Sequence, residues 1–141
     1  MKNFEIVDGC DKMNFQEVTA MLKNAYWSMG IKINEVEAGA CNSALVVGTF
    51  TSGGRQIGYA RVISDKIRFA YVLDVYVNEN FRKQGIGQAM IKFILNHPDL
   101  KDVYQWLLIT QNAHGVYKKA GFVRLENPEN WMEIRKPRPA R

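Results

Sequence analysis

A short stretch with two glycines, residues 82–87 (RKQGIG), constrains the fold of this chain more than any other feature, because of what flanks it. The apolar and aromatic residues 67–77 (IRFAYVLDVYV) precede it and are typical of a strand that is buried on at least one face. After it, apolar side chains recur at helical spacing until Pro98 stops the pattern. The glycines therefore lie at a turn from a strand into a helix.

Such a turn is suited to binding an anion. Glycine lets the backbone approach a ligand closely, and the free N–H groups and the dipole of a helix N-terminus attract negative charge. The dinucleotide-binding fingerprint and the P-loop both fail to match, since the first needs a third glycine and the second needs a lysine where this chain has Gln88. We expect a pyrophosphate to contact Arg82, Lys83, Gln84, Gly85, Ile86, Gly87 and Gln88.

Length and composition predict one globular domain over residues 1–141, with a hydrophobic content of 47% and a charged content of 23%. No apolar run reaches the roughly 20 residues of a membrane span, and the N-terminus lacks the apolar region of a secretory signal. Cys10 and Cys41 have no CxxC spacing, which favours buried, reduced thiols over a disulfide or a zinc site. We therefore predict a cytoplasmic protein without a membrane partner or a metal.

The net charge of +5 is concentrated at one end of the chain. Arg135, Lys136, Arg138 and Arg141 lie in residues 135–141, and removing these four positive charges from +5 leaves +1. A short basic tail of this kind is more often solvated than bound to DNA. We predict a basic tail over residues 135–141 and no nucleic-acid partner.

Periodicity and turn residues predict a mixed α/β (α+β) fold in the order β-α-α-β-β-β-α-β-α-β with one further strand. An apolar stripe behind Asn14, with Glu17 as a capping-box partner, predicts the first helix. Residues 32–41 form a helical or looped piece, and residues 113–120 form a short helix that Gly121 stops. The predicted strands are residues 4–7, 44–50, 56–63, 67–77, 103–110, 122–125 and 131–135.

Two motifs in this order resemble those of the GNAT superfamily of acyl-CoA-dependent N-acetyltransferases, and in particular its small, mostly uncharacterised bacterial-type members. The first is residues 75–77 (VYV) followed by R-x-x-G-x-G at 82–87, and the second is AHGVYKKAGF at 113–122. The resemblance covers nearly the whole chain. It implies a mixed, mostly antiparallel twisted sheet with helices on both faces. It also implies acetyl-CoA as the acyl donor and a possibility of homodimers.

The resemblance also assigns roles to residues around the fourth strand and the last helix. A bulge on that strand, near residues 73–77, would present a backbone N–H to the thioester carbonyl, with Leu73, Val75 and Val77 at the cofactor. Thr110, Ala113 and Tyr117 would contact it from the other side. Two positions depart from the family pattern: Thr110 stands where many members carry Asn, and Tyr71 stands where an acidic general base is common.

Acyl transfer to an amine needs a proton donor for the departing thiolate and a neutral amine. Tyr117 is the candidate acid, because a phenol of pKa about 10 can protonate a thiolate whose thiol has a pKa of about 8.5; the alternative is a tyrosine that only packs in the core. Asp74 is a carboxylate within an apolar strand, where it would either bind or deprotonate the amine or form a structural pair. By alternation it lies opposite Leu73, Val75 and Val77.

The acceptor side is less constrained by the sequence. Tyr26 and Trp27 follow the first helix and could form a wall of the amine pocket or pack in the core. Asp65 could attract a cationic amine, although aspartate in a turn usually shapes the turn. We predict transfer of an acetyl group to a small-molecule or peptide amine by direct attack in a ternary complex. The alternative is a non-catalytic acyl-CoA-binding or regulatory module.

Overall fold

The computed structural model describes residues 3–141, and these contain five strands and four α-helices. The strands are β1 (Phe4–Asp8), β2 (Leu45–Thr51), β3 (Gln56–Ser64), β4 (Ala70–Val77) and β5 (Trp106–Leu107). The helices are α1 (Phe15–Leu22), α2 (Ile33–Cys41), α3 (Ile86–Leu95) and α4 (His114–Lys119). The predicted order of elements is confirmed as far as α4.

The five strands form one sheet in the order β1-β2-β3-β4-β5. The first three pairs are antiparallel and the pair β4–β5 is parallel. Helix α3 packs its buried side chains against one face, with Val47, Ile57 and Val62, while α1 and α2 pack on the other face against Val46 and Tyr59. The mixed, mostly antiparallel sheet with helices on both faces is therefore confirmed.

The start of α1 shows how local sequence signals and tertiary contacts combine. The Asn14 side chain accepts a hydrogen bond from the Glu17 N–H at 3.1 Å, as expected for an N-cap. The expected reciprocal half of the capping box is replaced, because the Asn14 N–H donates to the buried Gln56 side chain at 2.8 Å. Helix α1 ends at Leu22, although apolar residues at helical spacing continue in the sequence to Tyr26.

The predicted strands in the last third of the chain are wrong in extent. Residues 103–110 supply only the two-residue strand β5, and residues 122–125 and 131–135 are not strands in the described structure. Val123, Met132 and Ile134 are 85%, 95% and 91% exposed. Apolar residues alternate in these segments, but they pair with no strand in the described structure, and β5 itself pairs with only two residues of β4.

The basic tail is not fully solvated. The Arg141 guanidinium donates to the Glu35 carboxylate on α2 at 2.8 Å, and its side chain is only 13% exposed. Its Cβ also lies close to Gly30, whose positive φ of 72° bends the connection between α1 and α2. The end of the tail thus packs against the connection between α1 and α2, which also carries Tyr26 and Trp27.

The cysteines also differ from the expectation of buried thiols. Cys41 is exposed and Cys10 is half-buried. Burial first, and then a hydrogen bond between the Cys10 and Cys41 thiols, raise the pKa of Cys10 to about 11. The two cysteines are therefore neighbours in space although 31 positions separate them in the sequence. No helix within residues 3–141 is both long enough and apolar enough to cross a membrane.

Candidate active site

Strands β4 and β5 separate soon after they pair. Their parallel pairing joins Ala70 with Trp106 and Tyr71 with Leu107, and β4 then continues alone on that side to Val77. After Leu107 the chain has no further strand pairing and leads to α4. A cleft therefore opens between the second half of β4 and the segment that leads to α4, and two of the predicted motifs flank it.

A bulge lies on β4 beside this cleft. The pairing of β3 with β4 shifts between Tyr59 and Arg61, whose partners are Tyr76 and Leu73, so that β4 has one residue more than β3 in this interval. Asp74 has a φ of 57° there, a conformation that aspartate tolerates better than most residues. The predicted bulge near residues 73–77 is confirmed.

The bulge also corrects the predicted facing of the side chains. Ala70 and Val72 belong to the core on the α3 side, and so do Val75 and Val77. Two residues, Leu73 and Asp74, lie between these pairs where strict alternation allows one. Leu73 therefore does not share a face with Val75 and Val77, as alternation had predicted.

The glycine loop begins α3 without a side-chain cap. Gly85 is the N-cap residue in the left-handed region, with a φ of 81°, and Lys83 also has a positive φ of 64°. No heavy atom lies within 4 Å of the position that a Cβ on Gly85 would take. The first N–H groups of an α-helix have no partner within the helix, so this open surface presents free donors to an anion.

Two side chains of the loop hold it in place. Arg82 donates from Nε to the Val77 carbonyl at 2.9 Å, and its guanidinium lies 5.0 Å from the centre of the Tyr76 ring. Gln88 donates from Nε2 to the Val116 carbonyl at 2.8 Å, which joins α3 to α4. Both residues were predicted to bind the cofactor, and these contacts give them a structural role as well. Exposed Lys83, Lys118 and Lys119 add positive charge nearby.

Helix α4 ends in a Schellman motif that explains the sequence AGF after Tyr117. The Gly121 N–H donates to the Lys118 carbonyl and the Phe122 N–H donates to the Tyr117 carbonyl, each at 3.0 Å. Gly121 has the positive φ of 106° that this motif needs. The rings of Tyr117 and Phe122 pack edge to face with centroids 5.9 Å apart, so that the helix end orients the Tyr117 ring.

The Tyr117 phenol is partly buried against the α3-side core. Burial raises its pKa above the usual value, and the neighbouring Tyr26 phenol raises it further. The phenol therefore stays protonated at neutral pH and can act as a proton donor. At the start of α4, the Thr110 hydroxyl accepts from the Ala113 N–H at 3.0 Å, so both of these predicted cofactor contacts lie in the turn that precedes Tyr117.

Asp74 lies in a polar network on the opposite side of the sheet from α3. One carboxylate oxygen accepts from the Trp27 indole N–H at 2.9 Å, and the other accepts from Arg61 Nε at 2.7 Å. Arg61 also donates to the Gly39 carbonyl at 3.2 Å and to Ser43 at 3.3 Å. With both oxygens occupied and its side chain 11% exposed, Asp74 has the geometry of a structural pair and not of a free base.

The candidate acceptor residues fall in two places. Tyr26 and Trp27 lie next to each other at the cleft, with ring centroids 4.9 Å apart. Asp65 lies in the turn before β4. The part of β4 from Ala70 to Asp74 alone is about 13 Å long at 3.3 Å per residue, so Asp65 is far from Asp74. One Asp65 oxygen accepts from the N–H groups of residues 67–69, which lowers the pKa of this carboxyl. The structure thus gives Asp65 the role of shaping the turn.

Arg61 was not among the site residues predicted from the sequence. This arginine is the one charged residue within the apolar strand β3, and Asp74 is the one charged residue within the neighbouring strand β4. A lone cation and a lone anion on consecutive strands of a hairpin are a signal for a buried pair, because neither is stable alone in an apolar environment. The Gln111 backbone N–H, which donates to the Tyr26 hydroxyl at 2.9 Å, has no such signal in the sequence.

Two other concavities lie on the β1 side of the sheet. One is lined by residues of β1 and the β2–β3 hairpin, including Phe4 and Phe50, and the other lies between Ile6 and Phe93. Neither includes the glycine loop. Within residues 3–141 no group of three or more His, Cys, Asp or Glu side chains is arranged to hold a metal ion.

Comparison with known proteins agrees with this geometry. Residues 42–124 match the sequence profile of the Acetyltransferase (GNAT) domain, and the chain belongs to this family. A protein of Xanthomonas campestris pv. campestris described as a GNAT-family acetyltransferase is 31% identical, with a TM-score of 0.90 over 97% of this chain and 96% of that one. The chain is thus an acyltransferase of the GNAT class. A comparison with curated proteins finds no match.

More distant structures share the fold. A predicted acetyltransferase of Clostridium acetobutylicum, solved with acetyl-CoA, is 17% identical with a TM-score of 0.70 over 94% of this chain and 96% of that one. Glucosamine-6-phosphate N-acetyltransferase of Arabidopsis thaliana is 13% identical with a TM-score of 0.66 over 96% of this chain and 99% of that one. At these identities the likeness concerns the fold alone.

Proposed function

We propose that this protein transfers the acetyl group of acetyl-CoA to a primary amine, by direct attack within a ternary complex. The observation that carries the proposal is the open, uncapped start of α3 at Gly85, beside the cleft where β4 and β5 separate. Helix α4 adds Tyr117 at the same cleft, with a phenol that burial keeps protonated.

The loop fits the pyrophosphate of the acyl donor. Free N–H groups at the start of α3, the open space above Gly85 and the nearby lysines Lys83, Lys118 and Lys119 all favour a dianionic group. Acetyl-CoA supplies an acetyl group that is already activated as a thioester. The acetyl-CoA in the structurally similar Clostridium protein supports the same donor here.

Each step of the transfer then has a defined requirement. The amine nitrogen attacks the thioester carbon, a C–N bond forms, and the C–S bond breaks. The extra residue of the β4 bulge leaves backbone groups outside the regular ladder, and one N–H there would polarise the carbonyl. The Tyr117 hydroxyl would give its proton to the departing thiolate, the proton lost by the amine would pass to water, and the tyrosinate would take a proton back from water. Asp74 is not assigned a role in proton transfer because both of its oxygens accept hydrogen bonds.

The acceptor is proposed as a small-molecule or peptide amine. The carboxylate closest to Trp27 is already neutralised by Arg61, so that a strongly cationic acceptor would find little free negative charge at Asp74. Acetyl transfer requires the neutral amine, so the rate should rise with pH until the amine is deprotonated.

A screen of amines tests the proposal. Purified protein is mixed with acetyl-CoA and a panel of amino acids, aminosugars, polyamines and peptides, and the free thiol that is released is measured. We expect amine-dependent release of thiol together with an acetylated amine by mass spectrometry. If acetyl-CoA binds but no amine in a broad panel releases thiol, the non-catalytic acyl-CoA-binding module becomes the better account.

A further inference from the structure

The connection between α1 and α2 touches both sides of the cleft through two consecutive residues. Trp27 donates from its indole N–H to Asp74 on the β4 bulge at 2.9 Å. Tyr26 accepts, at its hydroxyl, the backbone N–H of Gln111 at 2.9 Å, in the loop between β5 and α4. The two rings pack edge to face, so that the contacts form a continuous chain of side chains from β4 to the loop before Tyr117.

The β4 end of this chain is rigidly held. Asp74 is fixed by Arg61 at 2.7 Å, and Arg61 in turn donates to the Gly39 carbonyl on α2. A Cβ on Gly39 would lie 3.2 Å from the Arg61 guanidinium, so glycine there permits the arginine to lie against α2. The Trp27 ring also packs against Tyr76, with centroids 6.4 Å apart.

The connection itself is held at both ends. Ser28 donates from its hydroxyl to the Leu22 carbonyl at 2.7 Å and is buried. Ile31 is buried in the core formed with α1 and α2. These contacts hold the ends of the connection, while the Tyr26 ring, which is 41% exposed and packs edge to face on Trp27, reaches across the cleft.

The other end of the chain is held loosely. The segment after β5 has no strand pairing beyond Leu107, and Ile109 is 77% exposed. Leu108 packs against the α3-side core, and the hydrogen bond from Gln111 to Tyr26 ties the residues that follow to the connection between α1 and α2.

We propose that Tyr26 and Trp27 form a clasp across the cleft, and that this clasp positions the Tyr117-bearing segment relative to the β4 bulge. The proposal rests on the proposed acetyl transfer, since positioning matters only if Tyr117 and the bulge act on the same thioester. Tyr26 and Trp27 are positioning residues here: they fix a separation and do not exchange protons. Small displacements of a reacting group lower rates strongly, which makes such a fixed separation useful.

The clasp makes a distinctive prediction, because both of its contacts must be intact to hold the segment that carries Tyr117. Breaking either the Trp27–Asp74 contact or the Tyr26–Gln111 contact releases the same segment. We expect Tyr26→Phe and Trp27→Phe each to lower kcat on the order of tenfold, the effect of one lost hydrogen bond, with the KM for acetyl-CoA nearly unchanged. The double variant should be about as slow as either single variant, whereas independent roles would multiply the two losses.

Hydrogen exchange of the Gln111 amide provides a readout that needs no activity. Exchange should be faster by about tenfold in Tyr26→Phe, because its acceptor is removed, and clearly faster in Trp27→Phe as well, although that variant leaves the Tyr26 hydroxyl in place. Tyr104→Phe and Trp131→Phe are matched controls on exposed residues, and they should change neither kcat nor the exchange of Gln111.

The two readouts separate this inference from the proposed function. If the Gln111 amide exchanges faster in both Tyr26→Phe and Trp27→Phe but no amine is acetylated, the clasp remains as a structural device and the proposed reaction is rejected. Acetyl transfer with multiplicative losses in the double variant, and with unchanged Gln111 exchange in Trp27→Phe, would overturn the clasp and keep the reaction.

Discussion

Residues 3–100 and residues 103–141 are built in different ways. The buried apolar core extends from Met13 to Leu100 in the described chain, and most of its largest fully buried side chains come from α1, β3 and α3. After residue 103, Ile109, Val123, Met132 and Ile134 are between 77% and 95% exposed. The first part therefore holds its shape by packing, which is close to non-directional and cooperative.

The second part carries Tyr117 and packs only partly buried side chains against that core, among them Leu108, Tyr117 and Phe122, so that individual polar contacts add to its positioning. These are the Tyr26–Gln111, Gln88–Val116 and Thr110–Ala113 hydrogen bonds, together with the Schellman motif at Gly121. The scaffold and the proposed donor site therefore belong to the packed part, while the proposed acid is placed by partial burial together with hydrogen bonds that can be broken one at a time.

The largest expected effect tests whether the loosely packed part carries the chemistry. Tyr117→Phe keeps the ring and its packing on Phe122, and should lower kcat by about 10² to 10⁴ if the hydroxyl protonates the thiolate. The loss should be in kcat, because the proton moves in the transition state. Steady-state kinetics with the amine found in the screen will measure it.

Tyr104→Phe is the matched control, since Tyr104 is 71% exposed and lies in the same third of the chain. Burial raises the pKa of Tyr117, so any loss of wild-type rate through ionisation of this phenol should begin only above pH about 10. A Tyr117→Phe variant with full kcat would make Tyr117 a packing residue.

The second prediction concerns stability and compares two isoleucines. Ile94→Ala removes a fully buried side chain of α3 and should lower the free energy of unfolding by about 2 to 5 kcal/mol. Ile134→Ala removes a side chain that is 91% exposed and should change it by less than about 0.5 kcal/mol. Urea denaturation of both variants measures the difference. A large loss for Ile134→Ala would show that a second copy or another segment covers this residue in solution.

The third prediction tests the donor site in the packed part. Acetyl-CoA at 100 times its dissociation constant should stabilise the wild type by about 2.7 kcal/mol and raise its melting temperature. Gly87→Val should abolish this shift, because a side chain in the first turn of α3 would block the approach of the pyrophosphate to the backbone. The variant should fold normally, because the atom nearest to the added Cβ belongs to Val77 and is 4.0 Å away.

Gly85→Val should abolish the shift too, but its φ of 81° also strains the substituted backbone. Gly53→Val is the matched control, since this glycine lies in the β2–β3 hairpin, away from the loop, and meets only Thr51 at 3.8 Å. An unchanged shift in Gly87→Val and Gly85→Val would place the cofactor elsewhere.

The smallest predicted effect concerns the end of α4. Gly121→Ala forces a residue with a Cβ to adopt a φ of 106° and should lower the free energy of unfolding by about 1 to 2 kcal/mol. Thermal unfolding measures this loss, with Gly115→Ala as a control, because nothing lies within 4 Å of a Cβ on Gly115. A loss in Gly115→Ala as large as that in Gly121→Ala would argue against the Schellman motif as the cause.

Much of the packed part could be predicted from the sequence, because local signals and tertiary packing agree there. Asn14 caps α1 and Gly85 begins α3 as the sequence indicated, and in the second part Gly121 ends the last helix. The strands predicted at 122–125 and 131–135 were wrong because alternation shows that a segment could pair and does not show that a partner is available.

The polar contacts of the site were harder to predict. A bulge shifts every later side chain to the other face, which is why alternation misplaced Leu73. The Trp27–Asp74 and Tyr26–Gln111 bonds join residues that are 47 and 85 positions apart, and neither can be read from spacing. A lone Arg61 opposite a lone Asp74 was the one long-range pair that the sequence could have revealed.

The most direct test of the account is a titration of isotopically labelled protein with acetyl-CoA, followed by the chemical shifts of the backbone amides. We expect the largest changes at residues 82–88, 75–77 and 113–117, because the pyrophosphate and the thioester should lie between these segments. Changes concentrated instead near Phe4 and Phe50, or between Ile6 and Phe93, where the other two concavities lie, would contradict the assignment of the site.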